Sequence, residues 1–542
     1  MNFLFFPFEN ITLFYRQFIN PNPKAMESPI QNSAVFIFLP SLLCIMVFLF
    51  QLTRKLSSYP PGPKGLPIIG KMSMMPQMSH HHLAQLAQQY GGLVHLQMGM
   101  HNMVVISTPD LAREVLQVQD SVFANRSSSF AATYLSYDRA DMAFANYGQI
   151  WRQMRKICVM KLFSRKRVET WDSVGDEINK KVQTISTKTG TPINLSKMAS
   201  SLTSHIIYKA AFGSNSREGE EGQFENILQE YSKLFTELDF SDFIPWLSWI
   251  HKKDLKKRLV NVRRALDLFI DKVIDEHLAK KKNKNSKDEN EAAATDMVDE
   301  LVSFLDEGAD HENKKSTDSL STFKLNRDNI KGLIMDIMIG GTETVASAIV
   351  WALAELMKNP EDLKKVQVEL SNVVGLRRRV QDSDLENLTY LKCTLKETLR
   401  LHPPIPLIVH ETAKNTVLAG YSIPARWRVV INSWAIGRDG TVWEEPNAFK
   451  PSRFLEPGAK DFKGNDFEFI PFGSGRRSCP GMQLGFYVLE KSVAELVHCF
   501  TWELHEGMKG GELDMSDTPG LTTPKGAPLI AVPSYRLECA LW

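Results

Sequence analysis

The stretch PFGSGRRSCPG, residues 471–481, sets a single cysteine, Cys479, inside a loop of three glycines, two arginines and two prolines. Glycine lets a main chain approach another group closely, and proline fixes a turn. Arginine brings permanent positive charge and a fork of donors for anions. A thiolate ringed by N–H groups and cations serves either as a metal ligand or as a nucleophile of depressed pKa. The loop alone leaves both open.

The remaining cysteines, Cys44, Cys158, Cys393, Cys499 and Cys539, lie far apart and form no CxxC pair. That argues against a structural zinc site or a disulfide scaffold and fits a reducing compartment. They read as small buried hydrophobes. The chain has 542 residues, 43% hydrophobic and 23% charged, with a net charge of +2. This is the balance of a globular protein with a full core, and it makes no case for nucleic acid as a partner.

The N-terminus has a different character. AVFIFLPSLLCIMVFLFQL, residues 34–52, carries no charge and is long enough for a membrane-spanning helix. Arg54, Lys55, Lys64 and Lys71 follow it, which places what comes next on the cytosolic side. The prolines of YPPGPKGLPIIG, residues 59–70, forbid helix and make a stiff spacer. The expected organisation is an N-terminal lumenal extension over 1–33, an anchor over 34–52, a basic, proline-rich hinge over 53–75 and a catalytic body over 76–542. Met26 stands just ahead of the anchor, so residues 1–25 read either as native or as an extension upstream of a start at Met26.

In the body, GGLVHLQMG and NMVVIST (91–108) alternate like a small hairpin. Helical patterns dominate 165–185, 222–237, 255–282 and 327–358, and the mixed-charge run 280–291 reads as a solvated loop. His80, His81 and His82 lack the spacing of a helical metal pair and read as surface.

Three further constellations bear on chemistry. GGTETV, residues 340–345, puts two glycines in the middle of the longest helix, which costs about 2 kcal/mol relative to alanine. Close approach is the expected compensation. Glu343 and Thr344 follow, and Thr344 can bond the i−4 carbonyl and loosen the helix, as a proton-delivery site would need. Glu397 and Arg400 sit three apart on one helix face, and Arg453 in FKPSRF offers a second arginine to the same carboxylate. Trp151 and Arg155 sit four apart in WRQMRK and suit an anionic group.

Taken together, these residues identify the chain as resembling the cytochrome P450 family. FGSGRRSCPG matches its haem-binding pattern F-x-x-G-x-R-x-C-x-G, GGTET its oxygen-activating helix, ETLR its E-x-x-R, PSRF the arginine partner, and WRQMR its W-x-x-x-R. The resemblance implies a mainly α fold of long helices around a buried haem b, a small β-sheet subdomain and an N-terminal transmembrane helix. It makes Cys479 the thiolate ligand of the iron and Glu343 and Thr344 the catalytic proton-delivery pair. It assigns Trp151, Arg155, His410, Phe472, Arg477 and Gly481 to haem binding, with His410 where relatives carry another arginine. Glu397, Arg400 and Arg453 are implied to be structural. The implied partners are O2, NADPH–cytochrome P450 reductase and cytochrome b5, at the endoplasmic reticulum membrane.

Among plant members, YDRADMAFANYG, WRQMRKICVMKLFSRKR, TYLKCTLKETLRLHPPIPLIVHETA, FKGNDFEFIPFGSGRRSCPGMQLG and the tail GMKGGELDMSDTPGLTTPKGAPLIAVP are similar to the hydroxylases acting at ring position 5 of ferulate or coniferaldehyde. This implies a small phenolic substrate in the syringyl lignin branch. Asn146, Ile339 and Gly340 fall in the expected substrate pocket. Asn146 and Ile339 depart from the subfamily, where His and Phe are expected, and a diverged paralogue acting on an alkaloid, a terpenoid or another phenolic is the alternative.

Overall fold

The computed structural model describes residues 59–66, 69–164, 172–213, 220–237, 240–244, 253–284, 296–305 and 324–538. The extension, the anchor and the start of the hinge, residues 1–58, lie outside them. In chain order the principal helices are α1 (His80–Tyr90), α2 (Gln149–Ile157), α3 (Asp172–Ser186), α4 (Leu195–Phe212), α5 (Glu220–Thr236), α6 (Lys253–Lys284), α7 (Arg327–Lys358), α8 (Pro360–Val373), α9 (Thr389–Leu401) and α10 (Met482–Cys499). The strands are β1 (Leu93–Met98), β2 (His101–Ile106), β3 (Ile193–Asn194), β4 (Leu407–Glu411), β5 (Thr416–Leu418), β6 (Tyr421–Ile423), β7 (Arg428–Asn432), β8 (Phe500–Leu504) and β9 (Ile530–Tyr535).

The central element is α7, 32 residues long. A reciprocal cap starts it: Asn326 accepts from the Asn329 N–H at 2.7 Å, and Asn329 accepts from the Asn326 N–H at 3.2 Å. Its residues are apolar around most of the circumference, which suits a helix wrapped on all sides rather than a surface helix. It packs on α4 and α10, and two glycines permit close neighbours. A Cβ on Gly341 would lie 2.7 Å from the Ile207 side chain of α4, and one on Gly332 would lie 3.0 Å from the Asp141 Cα. Among the described residues only α7 is long and apolar enough to cross a membrane, yet it forms the core of the body.

The expected hairpin forms as β1 and β2, antiparallel from Leu93–Ile106 to Met98–His101. β2 runs parallel to β7, and β7 antiparallel to β4, giving the order β1-β2-β7-β4. Smaller sheets pair β3-β9-β8 and β5-β6. The fold is mainly α with a small β subdomain. Two local expectations need correction. His80 is buried and its Nε2 lies 3.0 Å from an Asp517 carboxylate oxygen, so it is not a surface residue. Helix α6 continues to Lys284 through the start of the charged run, because Lys has good helix propensity; residues 285–295 lie outside the described set.

Candidate active site

The cysteine loop is shaped by its backbone. Gly473 (φ +67°) and Gly475 (φ +69°) take the left-handed conformation, and a Cβ on Gly475 would lie 2.1 Å from the Leu116 carbonyl oxygen. The Cys479 N–H donates to the Phe472 carbonyl at 2.8 Å, and the Gly481 N–H donates to the sulfur. The Phe472 ring packs on Phe462 at 5.2 Å between centroids. Gly481 leads into α10 with nothing within 4 Å of a Cβ built on it.

Cys479 differs from the other described thiols. Cys158, Cys393 and Cys499 are buried in the core, whereas the Cys479 side chain is accessible although protein encloses it. It therefore fronts an interior chamber. Burial pushes its thiol above the ordinary value, with the Gly481 N–H and the Arg155 charge opposing that shift. This disfavours the reading as a nucleophile of depressed pKa. A bound metal cation deprotonates a coordinating thiol outright, so a raised intrinsic value is no obstacle to the ligand reading.

A second open surface is the middle of α7. Asp336, Ile339, Gly340, Glu343 and Thr344 recur at helical spacing and are all accessible, while the residues flanking them are mostly buried. A Cβ on Gly340 would meet nothing within 4 Å. The adjacent glycines thus do different things: Gly341 admits Ile207, and Gly340 clears space. A Cβ on Gly485, six residues after Cys479, would lie 3.6 Å from Val345. This contact packs the start of α10, which follows the cysteine loop, against α7 next to its open face. The Thr344 hydroxyl donates to the Gly340 carbonyl at 2.6 Å, and α7 continues unbroken through the motif without the expected loosening. The Thr522 hydroxyl donates to Glu343 Oε2 at 3.3 Å. That turn is fixed to α7 by Ser347 and Trp351, whose side chains donate to the Thr523 carbonyl at 3.1 and 2.9 Å.

Three arginines cluster beside the cysteine loop. Arg155 donates to the Ser478 carbonyl at 2.7 Å and to its hydroxyl at 2.9 Å. Arg477 donates to the carbonyls of Ala124 at 2.7 Å, Met142 at 3.1 Å and Ala145. Arg126 donates to the Val409 carbonyl. No carboxylate among the described residues forms an ion pair with any of them. Burial first, then the neighbouring guanidinium charges, pull Arg126 to about 10 and Arg477 to about 9. Asp141 offsets this only in part, and a cluster of like charges is costly unless a further anion enters it. Trp151 stacks its ring under Arg477, at 4.4 Å, and gives its N–H to the Met142 carbonyl at 3.0 Å.

His410 sits beside this cluster as a neutral ring. Burial and then Arg126 hold its pKa well below the usual value, and Nδ1 lies 2.8 Å from the Phe123 carbonyl. Arg126 is the cation that sequence reasoning missed; in FANRS it stands outside every motif, and only the fold brings it to Arg477. Asn146 is exposed one residue after the Ala145 carbonyl that accepts from Arg477.

Away from the chamber, Glu397 is buried and holds two arginines. Arg400 Nε and Nη2 donate to its two oxygens at 2.7 Å each, and Arg453 Nε donates at 3.1 Å. The other Arg400 donors go to the carbonyls of Gly437 and Pro446 at 2.6 Å and Ala448 at 3.1 Å, so every N–H has an acceptor. The Lys450 N–H completes the carboxylate at 2.8 Å.

An enclosed yet accessible thiol, a helix face cleared by glycine and three clustered arginines without an ion-pair partner among the described residues fit a flat, dianionic metal macrocycle such as haem b. Cys479 would hold its iron, and Arg126, Arg155 and Arg477 would take its carboxylates.

The family model described as Cytochrome P450 matches residues 60–530. The chain is 58% identical over 501 residues to Cytochrome P450 84A1 of Arabidopsis thaliana, covering 92% of this chain and 96% of that one. It is 52% identical over 510 residues to Cytochrome P450 84A4 of the same plant, covering 92% and 98%. A zebrafish cytochrome P450 structure with abiraterone superposes with a TM-score of 0.67 at 24% identity, over 84% of this chain and 99% of that one; this likeness concerns the fold.

Proposed function

Because the chain belongs to the cytochrome P450 family, whose monooxygenases use haem-thiolate iron, O2 and reductase-supplied electrons, we propose that it hydroxylates a phenylpropanoid ring ortho to an existing oxygen. The substrates proposed are coniferaldehyde, coniferyl alcohol and ferulate. When bound, the haem supplies O2 activation and insertion of one oxygen atom into the substrate. Cys479 would hold its iron, and Arg126, Arg155 and Arg477 would hold its carboxylates. Thr344 and Glu343 hold and pass protons at the open face of α7, where the Thr344 hydroxyl is already oriented by the Gly340 carbonyl. Ile339 and the space beside Gly340 orient the ring and exclude water.

The observation that carries the substrate reading is the similarity of residues 137–148, 151–167, 389–413, 462–485 and 507–533 to the phenylpropanoid 5-hydroxylases. We further assign residues 34–52 as a single-pass anchor in the endoplasmic reticulum, with the body on the cytosolic face served by NADPH–cytochrome P450 reductase and by cytochrome b5. The test is co-expression with a plant reductase in microsomes and turnover of the three compounds. Hydroxylation at ring position 5 supports the reading. Turnover of an alkaloid or terpenoid, with none of these three accepted, would overturn it and leave the family standing.

A further inference from the structure

We propose that Asp336 and Asp141 are positioning residues of the chamber: their hydrogen-bonded carboxyl pair ties the loop 137–146 to α7, so that the open helix face and the seat of Arg477 are set as one unit. Asp336 lies one helical turn before Gly340, on the same accessible face. Its Oδ2 accepts the Met142 N–H at 2.8 Å and the Ala143 N–H at 3.1 Å. Asp141 is buried, and its Oδ1 accepts the Phe144 N–H at 3.0 Å. The two carboxyl groups also bond to each other, which requires a proton between them. Gly332 makes room for this contact, since a Cβ there would lie 3.0 Å from both the Asp141 Cα and Cβ.

The loop is used from both sides. Its N–H groups at Met142, Ala143 and Phe144 go to the acid pair, while its carbonyls at Met142 and Ala145 go to Arg477. The Met142 carbonyl takes the Trp151 N–H as well. Any shift of the loop relative to α7 therefore moves the haem-edge cation. The loop also needs holding. Tyr137, Asp138 and Arg139 are consecutive left-handed residues, with φ of 55°, 56° and 66°, a conformation that side chains other than glycine adopt reluctantly. Tyr137 is fixed by Asp267 at 3.0 Å and Arg139 by the Phe144 carbonyl at 3.0 Å. Around the pair stand Arg139, Arg477, Tyr231 and Cys158. Burial raises both carboxyl groups, Asp141 to about 6 and Asp336 well above the usual range, which favours holding the proton on Asp336.

This inference rests on family membership and not on which compound is oxidised. The test compares Asp336→Asn with Asp336→Ala in the full-length, haem-loaded enzyme, reading hydrogen exchange across residues 141–146 and the reduced CO spectrum. Asparagine keeps an acceptor for the two N–H groups and a donor for Asp141, so exchange should stay within about twofold of wild type. Alanine removes both backbone bonds and should speed exchange by about tenfold or more. Equal damage from asparagine and alanine, or wild-type protection in the alanine variant, would overturn the proposal. If the alanine variant does not fold, exchange in the unmodified enzyme decides: protection of these amides supports the tie, and exchange as fast as in an exposed loop overturns it.

Discussion

The Thr344 hydroxyl donates to the Gly340 carbonyl at 2.6 Å, which orients its oxygen on the open face of α7 to accept from a proton-bearing group. Thr344→Ala should leave haem content intact yet uncouple turnover, with NADPH consumed and peroxide released in place of product. Coupling at the wild-type level would refute the proton-delivery role. Ile339, one residue before the glycine pair, is half-buried on the same face. A phenyl ring there would stack on an aromatic substrate, worth about 0.5–1.5 kcal/mol. Ile339→Phe should therefore tighten coniferaldehyde binding by up to about tenfold, read as kcat/KM against a competing substrate. If kcat/KM changes by less than about twofold for both substrates, position 339 does not face the ring. Some residues were legible from spacing alone, such as Glu397, whose partner Arg400 is on the next turn of the same helix. Arg126 and Asp336 were not, because their meaning comes from chain segments hundreds of residues away.

Among the elements, α9 is joined to the 444–453 segment by a buried carboxylate and two arginines, with the Trp443 ring 5.1 Å from the Arg400 guanidinium. Such a cluster contributes through its completeness. Glu397→Gln leaves both cations underpaired, and the expected loss is about 3–5 kcal/mol. The measurement is thermal unfolding with haem retention; a soluble, fully haem-loaded and inactive variant would make Glu397 catalytic instead. The long helices and the hairpin were readable from periodicity because each repeats its pattern over many residues. The left-handed turn at 137–139 was not, since Tyr and Arg carry no φ > 0 signature, Asp carries only a weak one, and the conformation is imposed by tertiary bonds.

Across the whole molecule, the cysteine loop, the centre of α7 and the arginine cluster come from parts of the chain far apart in sequence and are brought near one another by the fold. The family was legible because each part is a short, spaced motif; the meeting itself required the fold. The account stands on Cys479 as the iron ligand, and the most direct measurement is the reduced CO spectrum of the wild type and of Cys479→Ser in the same membranes. The account predicts the long-wavelength Soret band of a thiolate–iron–CO complex in the wild type and its loss in the serine variant. The same band in both proteins would contradict it.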